Sequence, residues 1–185
     1  MISINIPSKY NTFIQEYSKK LTLNGFSNLN SNDLSKASRG DFQKTGLFGE
    51  IAFKIYKSGD ATDLKNLIDK KLEHYNKTGK GDDGFDDSIT YKGITRLVDV
   101  KTSHTDNENR INTLNLVIPE REKHSNMIYV CAFTIGKTRI DIDKVVLAGW
   151  CYTHDIKKRW TIDVNKWAVP VKELRPMSEL EKYIR

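Results

Sequence analysis

The apolar positions of this chain change period partway along it. Tyr10, Ile14, Tyr17 and Leu21 recur at helical spacing with Phe13 alongside, after Ser8 as an N-cap and before a stop at Asn24-Gly25. Residues 26–40 are polar and turn-rich and read as a loop. A second helix fits Asp41–Lys57, where Leu47, Phe48, Ile51, Ala52, Ile55 and Tyr56 form one face. A third fits Asp60–Tyr75 through Leu64, Leu67, Ile68 and Leu72. Three glycines within Asn76–Gly84 then interrupt the pattern.

Beyond that break the period is two. Asp86–Tyr91 and Ile94–Ser103 read as strands joined at Lys92-Gly93, followed by strands at Asn112–Ile118, Asn126–Ile135 and Asp141–Tyr152. A short helical turn fits His154–Arg159, and the stretch carrying Trp160 and Trp167 has no clear period. Helices followed by a run of strands predict an α/β (α+β) fold with a central mixed β-sheet flanked by helices.

Composition narrows the classes. The 185 residues are 38% hydrophobic, enough for one sizeable core without staples. The longest apolar runs, Met127–Phe133 and Val145–Tyr152, fall well short of the ~18 residues that span a bilayer. The N-terminus lacks a basic segment followed by an apolar one, so no signal peptide is expected and the expected location is the cytoplasm. Cys131 and Cys151 give no disulfide framework. Cys151-x-x-His154 lacks the second half of a zinc spacing, and both cysteines lie in apolar strands, so buried thiols are expected. No G-x-x-x-x-G-K-[ST] run is present, which makes the glycine stretch a loop and not a nucleotide cradle.

The net charge of +6 is unevenly placed. Residues 1–45 carry +3, residues 119–185 carry +4, and the middle, 46–118, carries −1. Basic flanks around an acidic centre suit a chain that attracts a polyanion and holds a cation in the middle. The hairpin supplies that centre. Alternation along Ile94–Ser103 puts Asp99 and Lys101 on one face and Val98 and Val100 on the other. A two- or four-residue turn brings Asp86 to the face of Asp99, whereas a three-residue turn would bring Asp87 instead. Carboxylates paired across strands stand about 5 Å apart and need a proton or a cation between them. A hard divalent ion such as Mg²⁺ meets that need with oxygen ligands. Glu50 adds a third acid at the border of an apolar helix face, where a lone carboxylate gains nothing from burial. Gly46 and Gly49 beside it cost the helix about 1 kcal/mol each, which suggests close approach of that helix to a strand or a phosphate backbone.

These residues resemble the PD-(D/E)XK nuclease superfamily. The resemblance rests on Glu50 on a helix, Gly84-Phe85-Asp86, twelve intervening residues, then Asp99-Val100-Lys101 followed by Thr-Ser, in matching order on matching elements. It covers roughly 41–160, with 1–40 an N-terminal helix and loop and 161–185 a C-terminal extension of the same domain. Phe85 stands where the family carries proline, which leaves Asp86 or Asp87 as the first acid, with hairpin parity favouring Asp86. The resemblance implies a restriction-endonuclease-like core and a metal-dependent DNA endonuclease. Asp86, Asp99 and the Val100 carbonyl would hold Mg²⁺, with Mn²⁺ able to substitute. Glu50 would reach the metal through water or a second ion, and Lys101 would orient the metal-activated water at the scissile phosphate. Arg39 and Lys44 ahead of Glu50, and Ser103, His104, Arg110 and Asn115 beyond Lys101, are the candidate DNA contacts. RNA and branched DNA are alternative substrates, and a homodimer is one way to cut both strands. The competing reading is a non-catalytic nucleic-acid-binding or assembly protein on the same scaffold.

Overall fold

The structure is a computed structural model that describes residues 1–8, 10, 14, 36–59, 66, 69, 70, 73, 84–139, 141–158 and 166–184, with the backbone alone at 36–43 and 166. The described elements are β1 (Ile2–Ile4), α1 (Lys36–Ser58), β2 (Asp87–Tyr91), β3 (Ile94–Thr105), β4 (Asn115–Pro119), β5 (Met127–Ile135), β6 (Lys144–Tyr152), β7 (Lys157–Lys158), β8 (Lys166–Pro170) and α2 (Met177–Ile184). Short 3₁₀ turns fall at Glu108–Thr113, Glu120–Glu122, Thr153–Asp155 and Val171–Glu173. Five strands form a mixed sheet in the order β1-β6-β5-β3-β2, and β4-β8-β7 form a second sheet. Among the described strands only β3 and β5 run parallel; the other pairs are antiparallel. The fold is therefore the expected mixed α/β class.

The central strands are apolar on both faces because both faces are covered. Every residue of β5 is buried. One face packs on the helices: Leu47, Phe48 and Ile51 of α1 and Met177 and Leu180 of α2 meet Val98, Val100, Ile128, Val130 and Leu147. The opposite face packs on the second sheet, where Leu116, Ile118 and Val169 meet Tyr129, Cys131, Phe133 and Val146. Each large apolar side chain so enclosed contributes about 1.5–3 kcal/mol. Cys131 and Cys151 are free buried thiols, and burial pushes Cys151 up to about 12 and Cys131 higher still.

Several boundaries differ from the pattern. The long helix begins at Lys36, not Asp41, so Ser38 and Gly40 lie inside a helix where their turn propensity predicts a loop. Residues 112–113 close a 3₁₀ turn instead of opening a strand; Asn107 caps that turn through its side chain, and β4 starts at Asn115. The C-terminal stretch supplies β8, which pairs with β4, and α2, which closes the helical layer. Tyr10 and Ile14 are buried in the core. The rest of the expected first helix, the 26–35 loop, most of helix 60–75 and the glycine stretch up to Asp83 lie outside the described residues. Among the described residues no helix is long and apolar enough to cross a membrane.

Candidate active site

The hairpin turn is two residues long. Lys92 and Gly93 both take positive φ, 49° and 77°, as a turn matching the twist of the flanking strands requires. Tyr91 therefore opposes Ile94, and pairing runs outward to Asp87 opposite Val98. There the ladder stops. The Asp86 amide donates to the Val98 carbonyl at 2.8 Å, and the Asp86 carboxylate accepts from the Val100 amide at 2.8 Å. A side chain thus does what the next residue of β2 would do, and it holds the carboxylate against the edge of β3. Backbone alternation turns the Val100 carbonyl to that same edge, beyond the last strand pair.

Asp87 has a different task. Its carboxylate sits among α1 lysines, 3.1 Å from Lys54 Nζ and 2.9 Å from Lys57 Nζ. It points to the helical layer and is already neutralised there, so Asp86 is the acid at the β3 edge.

Asp99 and Lys101 project from β3 toward the second sheet, in register with Tyr129 and Cys131 of β5. Asp99 is 6% exposed, and its Oδ2 lies 2.7 Å from Lys101 Nζ. Burial is the largest influence on the Asp99 carboxyl, and Asp86 and Glu122 add to it. Together they outweigh Lys101 and push the carboxyl up to about 7. Lys101 feels the reverse balance. Burial opposes its ammonium, but Asp99 and Glu122 overcome that and hold its pKa above the ordinary lysine value.

Glu122, from the Glu120–Glu122 turn, is the residue that pattern reading missed. Its Oε2 is 2.9 Å from Lys101 Nζ. Tyr129 fixes that turn: its hydroxyl donates to the Glu122 carbonyl at 2.7 Å and accepts from the His124 amide at 2.9 Å. A glutamate 21 positions after the lysine, on a turn with no periodicity, carries no local signal.

Glu50 enters from α1, on the face opposite Lys101, with one carboxylate oxygen closed off from solvent. Gly49 lies directly on β3, since a Cβ there would overlap Thr102 Oγ1. Lys57, two turns on, reaches Asp87 and the Ser88 carbonyl. Lys54 and Lys57 therefore lie along the β2 edge, and Glu50 precedes Lys54 by one turn of the same helix. Gly46 differs from Gly49: nothing lies within 4 Å of a Cβ added there, so close approach explains only the second glycine.

The outlying candidates divide. Ser103, Arg110 and Asn115 are exposed. His104 is half-buried, with Nδ1 3.1 Å from Thr134 Oγ1; burial foremost, then Arg139, lowers its pKa. Lys44 is 5% exposed, with its ammonium 5.8 Å over the Phe48 ring. Arg39 lies within α1, and its side chain is outside the described residues.

For a metal, the donors that fit are all oxygens. Burial foremost, then the Asp86 carboxylate, raises the pKa of the Asp99 carboxyl, and Asp86 is held at the adjoining edge by the Val100 amide. No group of three or more His, Cys, Asp or Glu side chains placed to share one ion occurs among the described residues. Carboxylate and carbonyl oxygens are ligands of the kind a hard divalent cation takes. In comparisons with known proteins, no family model, curated protein or solved structure matches the chain.

Proposed function

We propose that this protein is a Mg²⁺-dependent nuclease that hydrolyses DNA phosphodiester bonds, with Asp86, Asp99 and Lys101 as its working residues. The observation that carries the reading is the buried Asp99 carboxyl, 2.7 Å from Lys101 Nζ, beside the Asp86 carboxylate that accepts from the Val100 amide where the β2–β3 ladder ends. Asp86, Asp99 and the Val100 carbonyl would hold the cation, for which Mn²⁺ would substitute. The cation, when bound, acidifies water and offsets charge on the phosphate. Lys101 donates hydrogen bonds to the attacking water and to the phosphate oxygen that gains charge. Glu50, from the helical side, would reach the cation through water or a second ion. Exposed Ser103, Arg110 and Asn115 lie beyond Lys101 and offer donors to a backbone leaving the site. Two copies of the chain supply the two sites that a double-strand cut requires.

The test is supercoiled plasmid, linear RNA and a branched DNA, each incubated with wild type, Asp99→Ala and Lys101→Ala in Mg²⁺, Mn²⁺ or EDTA. Metal-dependent product from wild type alone is the expected result, and the substrate that is cut names the specificity. Equal cleavage by wild type and both variants, or no product on any substrate, overturns the reading. Salt-sensitive binding without product would then mark a nucleic-acid-binding or assembly protein.

A further inference from the structure

The geometry points to Glu122 as a positioning residue that keeps Lys101 at the site once the Asp99 carboxylate turns to a cation. This inference rests on the nuclease reading and deepens it. The Lys101 ammonium is three-quarters buried and touches two carboxylates, Asp99 at 2.7 Å and Glu122 at 2.9 Å. A cation on Asp99 competes with the ammonium for the same oxygen. With no second carboxylate, Lys101 would lose its only close anion in a poorly hydrated place and swing toward solvent, away from the phosphate it must serve. Glu122 removes that outcome, because the ammonium can leave Asp99 without losing a charged partner.

The position of Glu122 is built and not incidental. It ends a 3₁₀ turn between β4 and β5 whose C-terminal end is held by one hydroxyl, that of Tyr129, through the Glu122 carbonyl and the His124 amide. Tyr129 is fully buried and pairs in register with Asp99, so one residue of β5 sets the height of Glu122 relative to the hairpin. Among the described residues the remaining ionic contact of Glu122 is with the neighbouring Arg121, whose Nε stands 3.4 Å away on a side chain 61% exposed, too loose to fix the carboxylate.

Two arms test this. The first needs no cleavage: crystals of the full chain grown with Ca²⁺, a hard cation of the same ligand preference. The expected result is an ion on Asp99 with Lys101 Nζ still in hydrogen-bond range of Glu122, and in Glu122→Gln crystals a lysine turned away. A lysine that stays on Asp99 and off Glu122, a lysine unmoved by the substitution, or no ion at Asp99, overturns the proposal. The second arm is kinetic. Glu122→Gln lowers kcat by about 10- to 100-fold, the effect typical of outer-shell partners, with the Mg²⁺ and DNA concentrations for half-maximal rate within about twofold of wild type. Glu122→Asp, which keeps the charge, recovers part of the loss. A raised Mg²⁺ requirement with normal kcat would make Glu122 a metal ligand, and an unchanged kcat would make it inert; either overturns the positioning role while leaving the nuclease intact. A wild type that cuts nothing overturns the nuclease reading, and the crystal arm still decides the lysine's partner.

Discussion

Replacing Asp99 with asparagine should flatten part of the pH dependence of stability. The carboxyl has a pKa of about 7 in the folded chain and 3.8 as the ordinary value, so folding takes up a proton between them. A raised folded-state pKa gives stability that is present at low pH and lost as pH rises through the folded value. From those two values, proton uptake contributes about 2 kcal/mol at about pH 5.5 and almost nothing at about pH 8.5. Asparagine has the same shape and still accepts from Lys101, but it has no proton to lose. The groups facing position 99 are Lys101 and Asp86 on the hairpin, Glu122 on the turn and Tyr129 on β5, and all remain in the variant. In the wild type Lys101, against burial and through Asp99 and Glu122, and Tyr129, through burial, are both held above their ordinary values. Urea unfolding of both proteins at the two pH values, in EDTA, gives a double difference in which the baseline effect of the substitution cancels. The wild type should lose about 2 kcal/mol more than Asp99→Asn on going to the higher pH. Equal losses, within about 0.5 kcal/mol, would mean that Asp99 is ionised throughout and would remove the electrostatic argument for a cation at this edge.

The two glycines of α1 should respond in opposite senses. Gly46→Ala meets open space and gains helix propensity, raising stability by about 0.5–1 kcal/mol, whereas Gly49→Ala collides with Thr102 and lowers it by about 1–3 kcal/mol in thermal unfolding. Similar shifts for both would refute the helix–strand contact. The neighbouring acids should separate as well. Asp86→Asn should abolish metal-dependent cleavage with little change in melting temperature, while Asp87→Asn, which leaves Lys54 and Lys57 without their shared anion, should cost about 1–3 kcal/mol and leave the cleavage chemistry working. Loss of activity confined to Asp87→Asn would reverse the assignment.

Local physics made the hairpin legible. Lys92-Gly93 is a turn because both residues adopt positive φ in a tight two-residue connection, and strand alternation alone puts Asp99 and Lys101 side by side. The apolar face of α1 and the unbroken runs of β5 and β6 are equally local, since a repeat in the chain becomes a stripe in the element. Tertiary structure decided what those stripes meet. Asp86 and Asp87 are adjacent acids of the same type, and only the lysines of a packed helix draw one of them away from the β3 edge. Gly46 and Gly49 look alike until β3 lies against one of them. Lys44 reads as a surface charge until packing closes over it. Glu122 reaches Lys101 because the path from β4 to β5 crosses the site and Tyr129 pins the turn, a contact between segments that share no period. Periodicity and turn chemistry are written in neighbouring residues. Charge pairing and burial belong to residues that only folding brings together.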